Sequence, residues 1–149
     1  MKAENYLEGA RSLKFKIDMI EADRRDILDA MTAIRSTSDY SDRVQTSPQG
    51  DGLERRVIKY MERLERLDNS LERKAYALAI RRHNIRQKVG RMKEGQCRRF
   101  IVDYYLECKD WDQIFREYAI EPDYHIKRRA IREFEKLEKE EGTAGKNIH

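Results

Sequence analysis

The chain has 149 residues, 40% of them charged and 39% hydrophobic, with 32 Lys and Arg against 28 Asp and Glu for a net charge of +4. That length suits one domain, or one compact domain with an elongated appendage, and so much charge with only two prolines and seven glycines points to a helical, partly extended protein. No run approaches the roughly eighteen apolar residues of a membrane span, and the start MKAENYLEGARSLKFKI lacks the apolar stretch of a signal peptide, so a cytoplasmic protein without a membrane partner is expected.

From Tyr6 the apolar residues fall at Tyr6, Ala10, Leu13, Ile17, Ile20, Ile27, Met31 and Ile34. The steps alternate four and three, with Arg24 as the one miss, which is the rule for a helix seam that meets a second helix. The stretch 36–52, STSDYSDRVQTSPQGDG, breaks the pattern with Ser, Thr, Pro and Gly and predicts a loop. Asp51 and Glu54 have the spacing of a capping box, which opens a second helix. Its seam runs Leu53, Val57, Tyr60, Leu64, Leu67 and Leu71. Beyond that, one half continues as Leu78, Ile85 and Met92 while the other turns basic at Lys74, Arg81 and Lys88. Unbroken to Lys93, such a helix is roughly 60 Å long at 1.5 Å per residue, more than the first helix covers, so the C-terminal part or a second copy of the chain must meet it. Gly95 is the expected stop.

After Gly95, Cys97, Phe100, Ile101, Tyr104, Tyr105 and Cys108 share one helical face. Asp110 with Gln113 repeats the capping spacing, and Trp111, Ile114, Phe115 and Tyr118 follow at i, i+3, i+4 and i+7. AIEPDY interrupts, with Pro122 suited to the first turn of a last helix whose inner face is Ile126, Ala130, Phe134 and Leu137. The residues from about 142 to 149 are expected to fray into a flexible tail. The fold expected is therefore all-α: two long N-terminal helices forming a helical hairpin or coiled coil over 1–94, then a small three-helix helix-turn-helix domain over 95–141. Of the thirteen aromatics, seven lie between Phe100 and Tyr124. A small domain buries a modest fraction of its surface, and large rings offset that, so most of the seven are expected to be core.

Charge is unevenly spread. Residues 1–50 carry −1, residues 51–100 carry +8 and residues 101–149 carry −3; between Arg81 and Arg99 eight Lys and Arg face one acid, Glu94. Such a local excess suits a polyanion, while an ordinary solvated helix face or an acidic protein neighbour explains it equally. Cys97 and Cys108, eleven apart on one helix, are too distant for a disulfide, and no pairing of His83, His125 or His149 with them suggests zinc. The cysteines read as core, with no metal and no cofactor. The glycines do not form a phosphate loop, the carboxylates sit beside Lys and Arg at exposed helix positions, and no Ser or Cys has a placed His, so an enzyme is not expected.

What remains is a helix, a turn and a second helix bearing YHIKRRAIR. With Ile126, Ala130 and Phe134 inward, Tyr124, His125, Arg128 and Arg132 point outward and are the candidates to read bases in a major groove. Candidates for phosphate contacts are Lys74, Arg81, Arg82, Arg86, Lys88, Arg91, Lys93, Arg98 and Arg99, with Lys127 and Arg129 flanking the outward face.

RFIVDYYLECKDWDQI followed by HIKRRAIREFEKL resembles the C-terminal helix-turn-helix of the transcriptional activators of late and packaging genes encoded by phages of Gram-positive bacteria, a module similar in turn to region four of bacterial sigma factors. DRVQTSPQGDGLERRVIKYMERLERL resembles the loop and long helix before that module in related phage proteins. The resemblance implies that Trp111 to Tyr118 is a positioning helix and Tyr124 to Leu137 a recognition helix, although Phe115 and Ala119 stand where such motifs often carry alanine and the turn glycine. It further implies a sequence-specific regulator of double-stranded DNA, acting as a homodimer or higher homo-oligomer in the bacterial host cytoplasm, at the nucleoid. Two alternatives stand beside it: a component of DNA packaging like the small subunit of phage terminase, and an adaptor that docks RNA polymerase without touching DNA.

Overall fold

The structure is a computed structural model that describes the backbone of residues 2–41, 49–118 and 125–147, with side chains over 2–34, 52–118 and 125–142. It is all-helical, with no strand among the described residues: α1 Ala3–Ser41, α2 Gln49–Val89, α3 Gly95–Ile101 continuing into a π-helical turn Val102–Leu106, α4 Trp111–Tyr118 and α5 His125–Asn147. No described helix is long and apolar enough to cross a membrane. The chain divides into two compact units, one of residues 16–76 and one of residues 1–15 with 77–149.

In the unit of residues 16–76, segments of α1 and α2 run antiparallel: Arg24 Nε donates to Asp68 Oδ1 at 2.8 Å, and Ala30, Ala33 and Ile34 line a cleft with Arg56, Lys59 and Tyr60. Among the described side chains of this unit only Ile17 and Ile27 are buried, and the expected α2 seam, Leu53, Val57, Tyr60, Leu64, Leu67 and Leu71, is half-buried along its length. Arg24, the miss in the α1 seam, is filled by its ion pair with Asp68. A pair this exposed contributes little stability, but it fixes which residues face each other.

The other unit has an aromatic core. Phe100, Tyr105, Ile101, Leu106 and Phe134 are fully buried, with Leu7 and Ala10 of α1, Ile85 and Val89 of α2, Ile114 of α4 and Ile126 and Ala130 of α5 packed among them. Phe100 stacks on Tyr104 at 5.3 Å between centroids and meets Trp111 at 5.1 Å, and Trp111 stacks on Phe115 at 5.5 Å. Arg11 fastens α1 to this cluster: its guanidinium lies 4.1 Å over the Tyr104 ring while Nη1 donates to the carbonyls of Tyr104, at 2.7 Å, and Lys109, at 3.2 Å. Gly9 allows a similar close approach. A Cβ there would overlap the Arg81 guanidinium, which lies against α1 and donates to the Tyr6 carbonyl at 3.2 Å.

Several boundaries differ from expectation. The predicted loop over 36–52 is shorter, because α1 continues to Ser41 and α2 begins at Gln49; residues 42–48 lie outside the described ones. Extending an existing helix adds a hydrogen bond per residue fixed, which outweighs the weak propensities of Ser, Thr and Asp. Asp51, expected to open α2, consequently lies inside its first turn. At the other end, α2 stops at Val89 in two tight turns, Arg91 N to Lys88 O and Met92 N to Val89 O, which bring Met92 into the core. Gly95, expected as the stop, begins α3 instead. The carboxylate of Glu133 holds this turn by accepting the amides of Lys93 at 2.6 Å and Glu94 at 3.2 Å.

The expected face from Cys97 to Cys108 is broken by the π turn, closed by the Glu107 amide on the Val102 carbonyl at 2.8 Å. Five-residue bonding shifts the inward positions by one. Leu106 and Asp103 turn inward as a result, and Cys108 falls beyond the helix with φ 56°. Asp110 does cap α4, its Oδ1 accepting the Gln113 amide at 2.8 Å, while the Gln113 side chain turns to Glu117 and not back to Asp110. Pro122, placed in the first turn of the last helix, lies outside the described residues, and α5 starts at His125. The residues from 142, expected as a flexible tail, are helical through Asn147.

Candidate nucleic-acid interface

α5 is amphipathic in the sense needed to present a face. Ile126, Ala130 and Phe134 are buried and Leu137 is half-buried, so α5 is held against the core while His125, Arg128 and Arg132 are exposed. Neither Arg128 nor Arg132 has a hydrogen bond or ion pair among the described residues. Tyr124, the fourth base-reading candidate, lies outside the described residues.

The phosphate-contact candidates fall into two groups. Most are engaged inside their own unit. Lys74 is half-buried and donates to Ser70 Oγ at 3.0 Å, and Arg81 lies 5.1 Å over the Tyr6 ring in addition to its bond to the Tyr6 carbonyl. Arg82 donates to the Leu106 carbonyl at 2.8 Å, satisfying an acceptor at the end of the π turn. Lys88 pairs with Glu138 at 3.1 Å and sits 5.3 Å over Phe134, and Arg91 pairs with Glu141. Arg99 lies 4.1 Å over Tyr118 and 3.7 Å from Asp103; Lys127 lies 5.4 Å over Tyr104 and 4.0 Å from Glu8; Arg129 is 3.9 Å from Glu94. The second group is open: Arg86, Lys93 and Arg98 are exposed, and their side chains have no partner among the described residues. The basic half of the α2 seam is thus largely structural, its cations lying over rings or beside carboxylates of α5.

Two of the open cations meet in one place. A cleft of about 530 Å³ is lined by Arg91, Lys93 and Glu94 of the α2–α3 turn and by Arg129, Arg132, Glu133, Lys136 and Glu140 of α5. It holds Lys93, from the phosphate candidates, together with Arg132, from the base-reading candidates.

Two polar clusters lie in the same unit. Asp103, 8% exposed, accepts the Tyr118 hydroxyl at 2.6 Å and lies 3.6 Å from Lys109, which also pairs with Glu117 at 2.8 Å. Burial and the Asp103 hydrogen bond raise the Tyr118 phenol above its usual value, and the Lys109 ammonium holds Glu117 low. This cluster ties α4 to the π turn. The second cluster joins the Cys97 thiol to the Glu94 and Glu133 carboxylates, whose nearest ligand atoms lie within 4.8 Å of one another. These are the described residues that could hold a metal ion, and no spacing announces them because Glu133 is remote in the chain. Burial, then the hydrogen bond and charge of Glu94, push the thiol up to about 12, so it keeps its proton at neutral pH. Glu133 already serves the turn amides.

Arg11 had no signature in the sequence either, since an arginine at a half-buried helix position looks like any solvated one. No family model matches the chain, and neither a curated protein nor a solved structure is significantly similar to it.

Proposed function

We propose that the chain is a sequence-specific regulator of double-stranded DNA, of the phage type its sequence resembles, activating late or packaging genes in the cytoplasm of a bacterial host. The observation that carries this reading is the outer face of α5, where Arg128 and Arg132 stand exposed and without a partner among the described residues, over an inner face locked by Ile126, Ala130 and Phe134. In a chain where most other cations of the basic stretch are consumed internally, two unspent arginines on one rigid face suit a polyanion. On this reading α4 positions α5 as in a helix-turn-helix, α5 enters the major groove, and α1 and α2 form a hairpin that pairs two copies. The exposed Ile58 and Met61 and the half-buried α2 seam supply apolar surface for that pairing. The protein then works by binding and not by catalysis.

Selection of bound sites from random duplexes tests the reading. A recovered motif, lost on Arg128→Glu with the fold intact, is the expected result; failure to enrich any sequence overturns it. The same open apolar surface in residues 16–76 favours a second reading, a multimeric DNA-packaging component. Light scattering separates the two, a dimer supporting regulation and a ring of many copies supporting packaging.

A further inference from the structure

The cleft between the α2–α3 turn and α5 changes the role of Arg132. Five cations line it, Arg91, Lys93, Arg129, Arg132 and Lys136, against the carboxylates Glu94, Glu133 and Glu140. The internal pairs account for part of both sets: Arg91 is bound to Glu141, Arg129 faces Glu94, and Glu133 accepts two backbone amides. What is left is Lys93, Arg132 and Lys136, all exposed and without a partner among the described residues, against Glu140 and the Glu133 carboxylate, whose charge its amide bonds do not cancel, so that one positive charge remains in excess. The backbone around Lys93 is held by Glu133, one residue along α5 from Arg132, so the two cations come from elements fixed to each other. A rigid concavity with net positive charge and an arginine fork suits a tetrahedral oxyanion better than a base edge.

We propose that this cleft seats a phosphate group, clamped by Lys93 and Arg132, and that Arg132 is a phosphate-binding residue and not a base-reading one. The proposal rests on the DNA-binding reading for its source of phosphate, the duplex backbone beside the groove that α5 enters. Base reading on the described part of α5 then falls to His125 and Arg128.

The test is fluorescence anisotropy with a duplex carrying the selected site and with an unrelated duplex, over a series of salt concentrations. Circular dichroism confirms that each variant is folded, as expected for exposed, unpaired side chains. Lys93→Gln with Arg132→Gln should weaken both duplexes by the same factor, about tenfold or more. It should also reduce the slope of log affinity against log salt by about one, the value for one phosphate contact. An unchanged slope overturns the proposal, as does a change confined to preference between the two duplexes. If the wild-type chain binds neither duplex, the DNA-binding reading fails separately, and the cleft is tested by titrating inorganic phosphate against the amide resonances. Shifts at Lys93 and Arg132 that vanish in the double variant then assign the cleft to a free phosphate compound; their absence overturns it.

Discussion

The two compact units solve the same problem differently. Both are built from long helices, yet among the described residues 1–15 with 77–149 bury seventeen hydrophobic side chains, whereas 16–76 bury only Ile17 and Ile27. Charge follows the division: the first unit has 20 Lys and Arg to 15 Asp and Glu, the second 12 to 13. A pair of helices has one shared seam and leaves the outer side of each helix to solvent, while a third and fourth element laid across the pair close a core. The aromatic module therefore closes a core of its own, and the proposed self-association falls to the helix pair, which leaves more apolar surface open.

The sharpest way to break this contrast is to truncate a ring. Phe100→Ala or Phe134→Ala, both 0% exposed, should cost about 3–5 kcal/mol and remove the near-ultraviolet signal of Trp111. A thermal melt that moved no more than for a surface change would mean that the core is loosely packed. Arg11→Ala comes next, at about 1–3 kcal/mol, because two carbonyl acceptors and a cation–ring contact lose their partner at once.

In the helix pair, Ile58→Lys with Met61→Lys should leave the monomer's melting unchanged within about 0.5 kcal/mol, since both side chains are exposed. Sedimentation should nevertheless show dimerisation weakened about tenfold or more, equivalent to at least 1.4 kcal/mol. Unchanged self-association would remove the reason for assigning the pair to an interface.

A smaller effect separates the cysteines. The Cys97 thiol, pushed up to about 12 in the folded chain, stays protonated where the unfolded thiol, at 9.0, ionises. The unfolded state thus binds fewer protons above pH 9, and stability should fall as pH rises from about 9 to about 12. Urea midpoints across that range, with Cys97→Ala showing a shallower decline, check the sign. Iodoacetamide at pH 8 should modify half-exposed Cys108 well before buried Cys97, as read by peptide mass. Smallest is Gly142→Ala, where a Cβ meets nothing within 4 Å and should add about 0.5–1 kcal/mol to the last turns of α5.

The parts of the fold set by periodicity were readable from sequence. The seams of α1 and α2, the inner face of α5 and the Asp110 cap depend on spacing within one helix, and each lies where spacing puts it. The helix ends did not follow, because local preference points to Gly95 and Asp51 while helix propagation and the Glu133 carboxylate decide where the helices begin and stop. The outward face of α5 at His125, Arg128 and Arg132 followed from spacing, whereas the phosphate candidates were legible only as a charge excess. Which cations are spent depends on residues far along the chain: Glu138 and Glu141 take Lys88 and Arg91, Tyr6 takes Arg81, and Leu106 takes Arg82. A count of Lys and Arg cannot separate Arg86 or Lys93 from those.

The π turn carries a consequence for how such modules diverge. It places an extra step of phase between the stretch that presents Phe100 and the cap that starts α4, so the ten residues from Ile101 to Asp110 act as a ruler. Removing one would return the segment to ordinary helix, swing Leu106 out of the core and start α4 on the wrong heading, whatever the residue types. Substitutions along that ruler should accumulate freely while its length stays fixed. Distant relatives of this chain should then be recognisable by a constant interval between two aromatics, even where no residue-by-residue similarity survives.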